Sequence, residues 1–351
     1  MTRQIKTPAW LWAAVAITAA ALPLHAAESA DAPLFAAVGI STKRSAPQAA
    51  EQAARSMLAK FRARGRRPAV AVFLERTGAR PAKEGKAIGD RVKARVNVPT
   101  FGTGGRIGTV GVTWWAKRDY EPTFQVLGLA GGNLQVRACL TAGALPKDEP
   151  ALKARAQALG RQVRAPAGAG LALFLGGLPA DRGGAYLAAL REAVAPRTPL
   201  LGAVGKAGDY VYADGALPKD ADGRPTGEGQ LLLVLAGRFK VALAGVASRN
   251  VADPQAVLEE ADAAARHATK QLEGHAVRLV LAFSSTGRLR TTGLDRPGKE
   301  LTRLRAVLGQ EAPVFGCFSP LQMGVDNRGR FSVGSGRLML AALGEKVGEK
   351  E

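Results

Sequence analysis

Three similar blocks dominate this sequence, and each closes on the same four-residue frame. Pro99-Thr-Phe-Gly102 recurs as Pro199-Leu-Leu-Gly202 and again as Pro313-Val-Phe-Gly316. Each frame comes 25–30 residues after an apolar run: Ala69-Val-Ala-Val-Phe73, Leu171-Ala-Leu-Phe174 and Leu279-Val-Leu-Ala-Phe283. An alanine-rich stretch with helical spacing precedes each run, and a second amphipathic stretch separates run from frame. In the first block Ala50, Ala53, Ala54, Met57, Leu58 and Phe61 share one helical face. A strand, a helix and a second strand in that order join parallel neighbours by a right-handed crossover. The pattern therefore predicts one α/β unit used three times, with a glycine-ended strand in each copy.

The remaining runs add antiparallel strands. Thr109–Trp115, Thr123–Ala130 and Leu134–Leu140 follow the first frame, with short glycine turns such as Gly131-Gly-Asn133 between them. Tyr210–Tyr212, Leu231–Leu235 and Phe239–Val246 follow the second, and Phe331–Val333 and Leu338–Leu343 the third. Helices are expected over 47–64, 83–96, 149–163, 184–194, 254–272 and 299–308. Ser45 and Asp253 stand at N-cap positions, with Pro47 and Pro254 in the first turns. The expected fold is α/β with mixed sheets, in two closely packed domains at 34–248 and 249–343. Residues 344–351 form a charged tail.

Composition narrows the function classes. Arg3 and Lys6 precede an uncharged apolar stretch from Ala9 to Leu22, and small residues follow at Ala26 and Ala27. This reads as a secretory signal peptide over 1–26, too short for a spanning helix. No later window is long and apolar enough to span, so an exported chain, periplasmic or extracellular, is expected. The only cysteines are Cys139 and Cys317, read as two buried thiols rather than a disulfide. The net charge is +20, yet aromatics make up only 5% of residues, so no platform for stacking bases is expected. The densest basic run, Lys60 to Arg67, falls at a helix end and suits the helix dipole. Nucleic acid is not expected as a partner.

With these elements in order, the chain resembles the FIST family, in which an N-terminal and a C-terminal domain occur in tandem. The resemblance spans roughly 34–343. Its clearest part is Ala282-Phe-Ser284-Ser285-Thr-Gly287-Arg288 followed by Pro313-Val-Phe-Gly316-Cys317-Phe-Ser319. Leu200-Leu-Gly202-Ala-Val-Gly205-Lys-Ala-Gly208-Asp209 is similar to a family segment ending in Asp, and Phe101 to Ile107 to another glycine-rich segment. The resemblance implies a sensory module that binds a small molecule, such as an amino acid, and passes the signal to a separate signalling protein. The implied site gathers Ser284, Ser285, Arg288, Gly316, Cys317 and Ser319, with Gly205 and Asp209 as contributors. Three family positions differ: Ser285 stands for a cysteine, Leu321-Gln322 for Gly-Glu, and Arg106 for an acid. The changes shift the expected preference toward anionic or neutral polar ligands.

The residues themselves support binding more than catalysis. Backbone amides at glycine-rich strand ends can approach a ligand closely. Arg288 is either a bidentate clamp for a carboxylate or a structural ion pair. A hydrolase using Ser284 or Ser285 is the alternative, but a serine nucleophile needs a positioned base. Past the leader the histidines are His267 and His275, both expected on the amino side of the third block's first strand. No cofactor is expected: the sequence lacks a Gly-x-Ser-x-Gly elbow, a phosphate loop and metal-ligand spacing. A further alternative is a basic protein that docks on anionic envelope components.

Overall fold

The computed structural model of the chain describes residues 32–43, 45–76, 81–105, 124–142, 145–162, 170–178, 182–194, 198–205, 210–219, 229–248, 251–292 and 298–347. The signal-peptide segment, Arg106, Asp209 and the strand expected at Thr109–Trp115 lie outside these residues.

The first unit contains β1 (Phe35–Ser41), α1 (Ala46–Arg62), β2 (Val70–Arg76), α2 (Ala82–Val96), β3 (Thr100–Gly105) and β4 (Phe124–Ala130). The second contains β5 (Gln135–Ala142), α3 (Glu149–Gln162), β6 (Gly170–Gly177), α4 (Gly183–Ala193), β7 (Leu200–Gly205), β8 (Tyr210–Ala213) and β9 (Gly229–Ala236). The third contains β10 (Lys240–Ala247), α5 (Pro254–Gln271), β11 (His275–Ser285), α6 (Thr286–Thr292), α7 (Gly298–Leu308) and β12 (Val314–Ser319). It continues through β13 (Leu321–Val325) and β14 (Phe331–Gly334) to β15 (Arg337–Lys346).

The protein is α/β with three mixed sheets, and one plan repeats in all three. The orders are β1-β4-β2-β3-β8, β14-β13-β7-β6-β9-β5 and β10-β15-β11-β12. In each, only the pair that carries the apolar run and the Pro-x-x-Gly frame is parallel: β2 with β3, β6 with β7, β11 with β12. The frame's proline opens its strand the same way each time. Its carbonyl accepts a hydrogen bond from Ala71 N–H, Ala172 N–H or Val280 N–H at 2.9, 2.8 and 2.9 Å. Proline has no N–H to give the ladder, so a strand's first position suits it. The frame's glycine lies opposite Phe73, Phe174 or Ala282, tight against that residue's carbonyl oxygen. Any side chain there would strike the neighbouring backbone.

The apolar runs are continuous because both of their faces are buried. Val70, Val72 and Leu74 point to a central core, as do Leu171, Leu173 and Leu175, and Leu279, Leu281 and Phe283. The alternate residues Ala71 and Phe73, Ala172 and Phe174, and Val280 and Ala282 pack under the helices of their own unit. The three sheets thus share one core, with the helices outside.

Several placements differ from the sequence expectation, which also lacked α6 and β13. β5 belongs to the second sheet and β10 to the third, because each opens its unit as β1 opens the first. The boundary expected near Ser248–Asp253 therefore falls inside the third unit, between β10 and α5. β8 leaves its own unit and pairs antiparallel with β3, and β13 likewise crosses from the third unit to β7. At the helix ends, Asp253 accepts from Gln255 N–H at 2.9 Å, whereas Ser45 occupies the N-cap without a side-chain bond. Gly65, at φ +64, follows α1 in the left-handed region that favours glycine.

Candidate functional site

Buried polar side chains gather at one end of the three sheets. In the first sheet Ser41 and Glu75 close β1 and β2, Thr103 lies late in β3, and Gln125 opens the antiparallel β4. In the second, Thr141 ends β5, and Gln230 and Gln322 open β9 and β13. In the third, Ser284, Ser285 and Ser319 end β11 and β12. Of the described buried polar residues, only Thr100 and Thr198 sit at the opposite strand ends. The polar end is the carboxyl end of the parallel pairs, where open α/β sheets bind ligands. Gln125 links two units there: its Oε1 accepts from Gly316 N–H at 3.4 Å.

The third unit supplies a charged cluster at this end. The guanidinium of Arg288, on α6, is fully buried. It donates from Nε and Nη2 to Glu300 Oε1 at 2.9 and 2.8 Å, from Nη1 to Glu260 at 2.6 Å, and from Nη2 to Val257 O at 2.8 Å. Ser284 Oγ donates to the other oxygen of Glu300 at 2.9 Å. Of the two roles open to Arg288, the geometry matches the structural one, not the ligand clamp. It ties α5, α6 and α7 to the end of β11, and its donors are committed inside the chain.

The other expected site residues divide. Ser285 Oγ accepts from Gly287 N–H at 3.0 Å and turns the chain from β11 into α6. Ser319 Oγ donates to Leu321 O at 2.7 Å and accepts from Gln322 Nε2 at 3.0 Å. These two, with Ser284, are brought together on the neighbouring ends of β11 and β12. Cys317 is not part of that surface: its side chain lies in the central core. Gly316 is a packing residue pressed against Ala282. Gly205 ends β7 opposite Gly177, in a different sheet. Both cysteines are buried, and no disulfide joins them. Burial pushes the Cys139 thiol up to about 11, against the opposing pull of Arg137.

Sequence reasoning missed the first unit's polar end. Glu75 occupies the position in β2 that Ser284 occupies in β11, two residues beyond the one facing the frame glycine. The carboxylate is buried and accepts a hydrogen bond from Tyr210 of β8. Gly104 and Gly85 give the Tyr210 ring its room, and Gly89 does the same for Tyr212, whose hydroxyl donates to Asp90 at 3.0 Å. The signal in the sequence was an acid closing an otherwise apolar strand. Its partner was hidden because Tyr210 belongs to the second unit.

A hydrolytic arrangement is not assembled among the described residues. His275 opens β11, ten residues from Ser285, or roughly 30 Å along a strand. His267 lies toward the carboxyl end of α5, about 20 Å along the helix from its cap. The hydroxyl proton of Ser284 already goes to a carboxylate held by Arg288. No group of three or more His, Cys, Asp or Glu residues that could hold a metal occurs among the described residues. No described helix is long and apolar enough to cross a membrane.

No protein-family profile matches the sequence, and no curated protein matches it. Among solved structures, PurLQS from Thermotoga maritima aligns over 90% of this chain and 72% of its own, at 10% identity and a TM-score of 0.27. Thermotoga maritima PurL complexed with ATP aligns over 89% of this chain and 72% of its own, at 11% identity and a TM-score of 0.26. Likeness at this level carries no inference about this chain's ligands.

Proposed function

We propose that this chain is an exported, FIST-like ligand-binding protein that recognises an amino acid or small organic acid and reports occupancy to a separate signalling protein. The observation that carries the reading is the gathering of buried polar side chains at the carboxyl ends of three parallel strand pairs. The two FIST-like segments, 282–288 and 313–319, both finish at that end. Hydroxyls of Ser285 and Ser319, the side-chain amides of Gln125 and Gln322 and the Glu75 carboxylate gather here, bonded within the chain, and a small polar ligand would exchange into those bonds. Export rests on the leader-like residues 1–26.

Thermal unfolding of the mature chain against a panel of amino acids and organic acids tests this. At a hundredfold excess over Kd, a ligand adds about 2.7 kcal/mol of stability, a rise of about 4 °C in the midpoint for a chain of this length. Ser319→Ala and Gln322→Met should blunt that response while leaving the Arg288 pair intact. A panel without any stabilising member, or variants that respond like the wild type, would refute a ligand site at this end.

A further inference from the structure

The opposite end of the molecule carries a different chemistry. Six helices return from one strand of a unit to the next, so their carboxyl ends all lie at the strands' amino ends. Each has a basic residue in its last turn: Arg62, Arg95, Arg161, Arg191, Lys270 and Arg305 on α1, α2, α3, α4, α5 and α7. The helix dipole accounts for some of this preference. It does not account for Arg64 and Arg67, which lie in the turn beyond α1, or for Arg238 in the β9–β10 turn and Lys240 at the start of β10, at the same end. All four are exposed. The exposed acids there, Glu192, Glu273 and Glu311, are fewer and scattered.

We infer that this basic end docks on an anionic phospholipid surface, and so holds the polar end facing away from the membrane. The charges come from all three units and ring one end of the body, which fits a broad planar polyanion better than a thread lying in a groove. Among the described residues the only exposed large apolar side chain is Val347, so the end offers no aromatic platform for bases. Basic residues near an anionic bilayer act additively and within a Debye length. The attachment is electrostatic and peripheral, and it needs no spanning helix.

Two variants with equal loss of charge separate this from a general effect of net charge. Arg62→Gln/Arg64→Gln/Arg95→Gln removes three exposed cations from the basic end. Lys43→Gln/Lys83→Gln/Lys147→Gln removes three exposed cations from the polar end. The assay is co-sedimentation of the mature chain with vesicles of phosphatidylglycerol and phosphatidylcholine, with pure phosphatidylcholine as control. Wild type should bind only the anionic vesicles and be released at about 0.5 M salt. The arginine variant should lose about a hundredfold in partitioning, and the lysine variant less than about threefold. Equal losses, or no binding by the wild type, would overturn the assignment. Tighter binding to heparin or duplex DNA than to the vesicles would overturn the choice of a membrane partner.

Discussion

Replacing the frame glycine of the third unit by alanine is the sharpest test of the repeat. In an unconstrained strand Gly→Ala gains roughly 0.5–1 kcal/mol, because alanine loses less backbone freedom on folding. At Gly316 the new methyl would stand 1.7 Å from Ala282 O, 2.7 Å from its carbonyl carbon and 3.1 Å from its nitrogen. These are backbone atoms of the neighbouring parallel strand, so no rotamer change relieves the clash. The strands must separate along a pair registered from Val280–Val314 to Ser285–Ser319. Overpacking of this kind costs about 1–3 kcal/mol, and more where the backbone itself must move. The net expectation for Gly316→Ala is a loss of about 3 kcal/mol or more. At Gly202 and Gly102 the first contact is 2.4 and 2.5 Å, again to a carbonyl oxygen, so somewhat smaller losses follow there. Gly184→Ala in α4, with nothing within 4 Å, is the control and should gain up to about 1 kcal/mol. Urea unfolding at constant m-value measures all four. If Gly316→Ala were as stable as the wild type, or Gly184→Ala lost as much, the reading of the frame as a backbone-packing device would fail.

Arg288→Met strands the Glu300 carboxylate in a buried site and should cost about 3–5 kcal/mol, whereas Arg288→Met/Glu300→Leu should recover most of that loss. A double-mutant cycle by denaturant unfolding reads this, and a single variant costing under about 1 kcal/mol would contradict the structural role. Burial raises several acids above their ordinary values, among them Cys139 from 9.0 to about 11 and Tyr186 from 10.0 to about 12. Their protonated forms are favoured by the fold, so stability is complete below pH 9. It falls as the unfolded chain ionises first, with these two groups together contributing on the order of 5 kcal/mol by pH 12. Cys139→Ala should move the onset of that decline up from about pH 9 to about pH 10. Unfolding midpoints that stay flat to pH 11 would count against both assignments.

Much of the scaffold was legible in the residues, and much of the site was not. The three runs, their helices and their Pro-x-x-Gly frames mark three parallel pairs, because burial on both faces demands continuous apolar residues and close strand packing demands glycine. At the third strand end Ser284, Ser285 and Ser319 lie on neighbouring strands. Arg288 was ambiguous because its partners, Glu300 and Glu260, are 12 and 28 residues away. Spacing could not tell a clamp from an ion pair. Glu75 went unremarked because its meaning depends on Tyr210, which lies 135 residues further along the chain.

By itself, then, the sequence determined most of the repeating unit: its main strands and helices, though not α6 or β13, and where glycine is obligatory. Those are local properties of periodicity, propensity and steric bulk. Only the tertiary structure decided which strands become neighbours across units, as when β8 joins β3 and β13 joins β7. It also gave the three sheets one core and placed their polar ends together. An apolar strand carries enough information to require a partner but not to name it, and that choice is made by the packing of the whole chain.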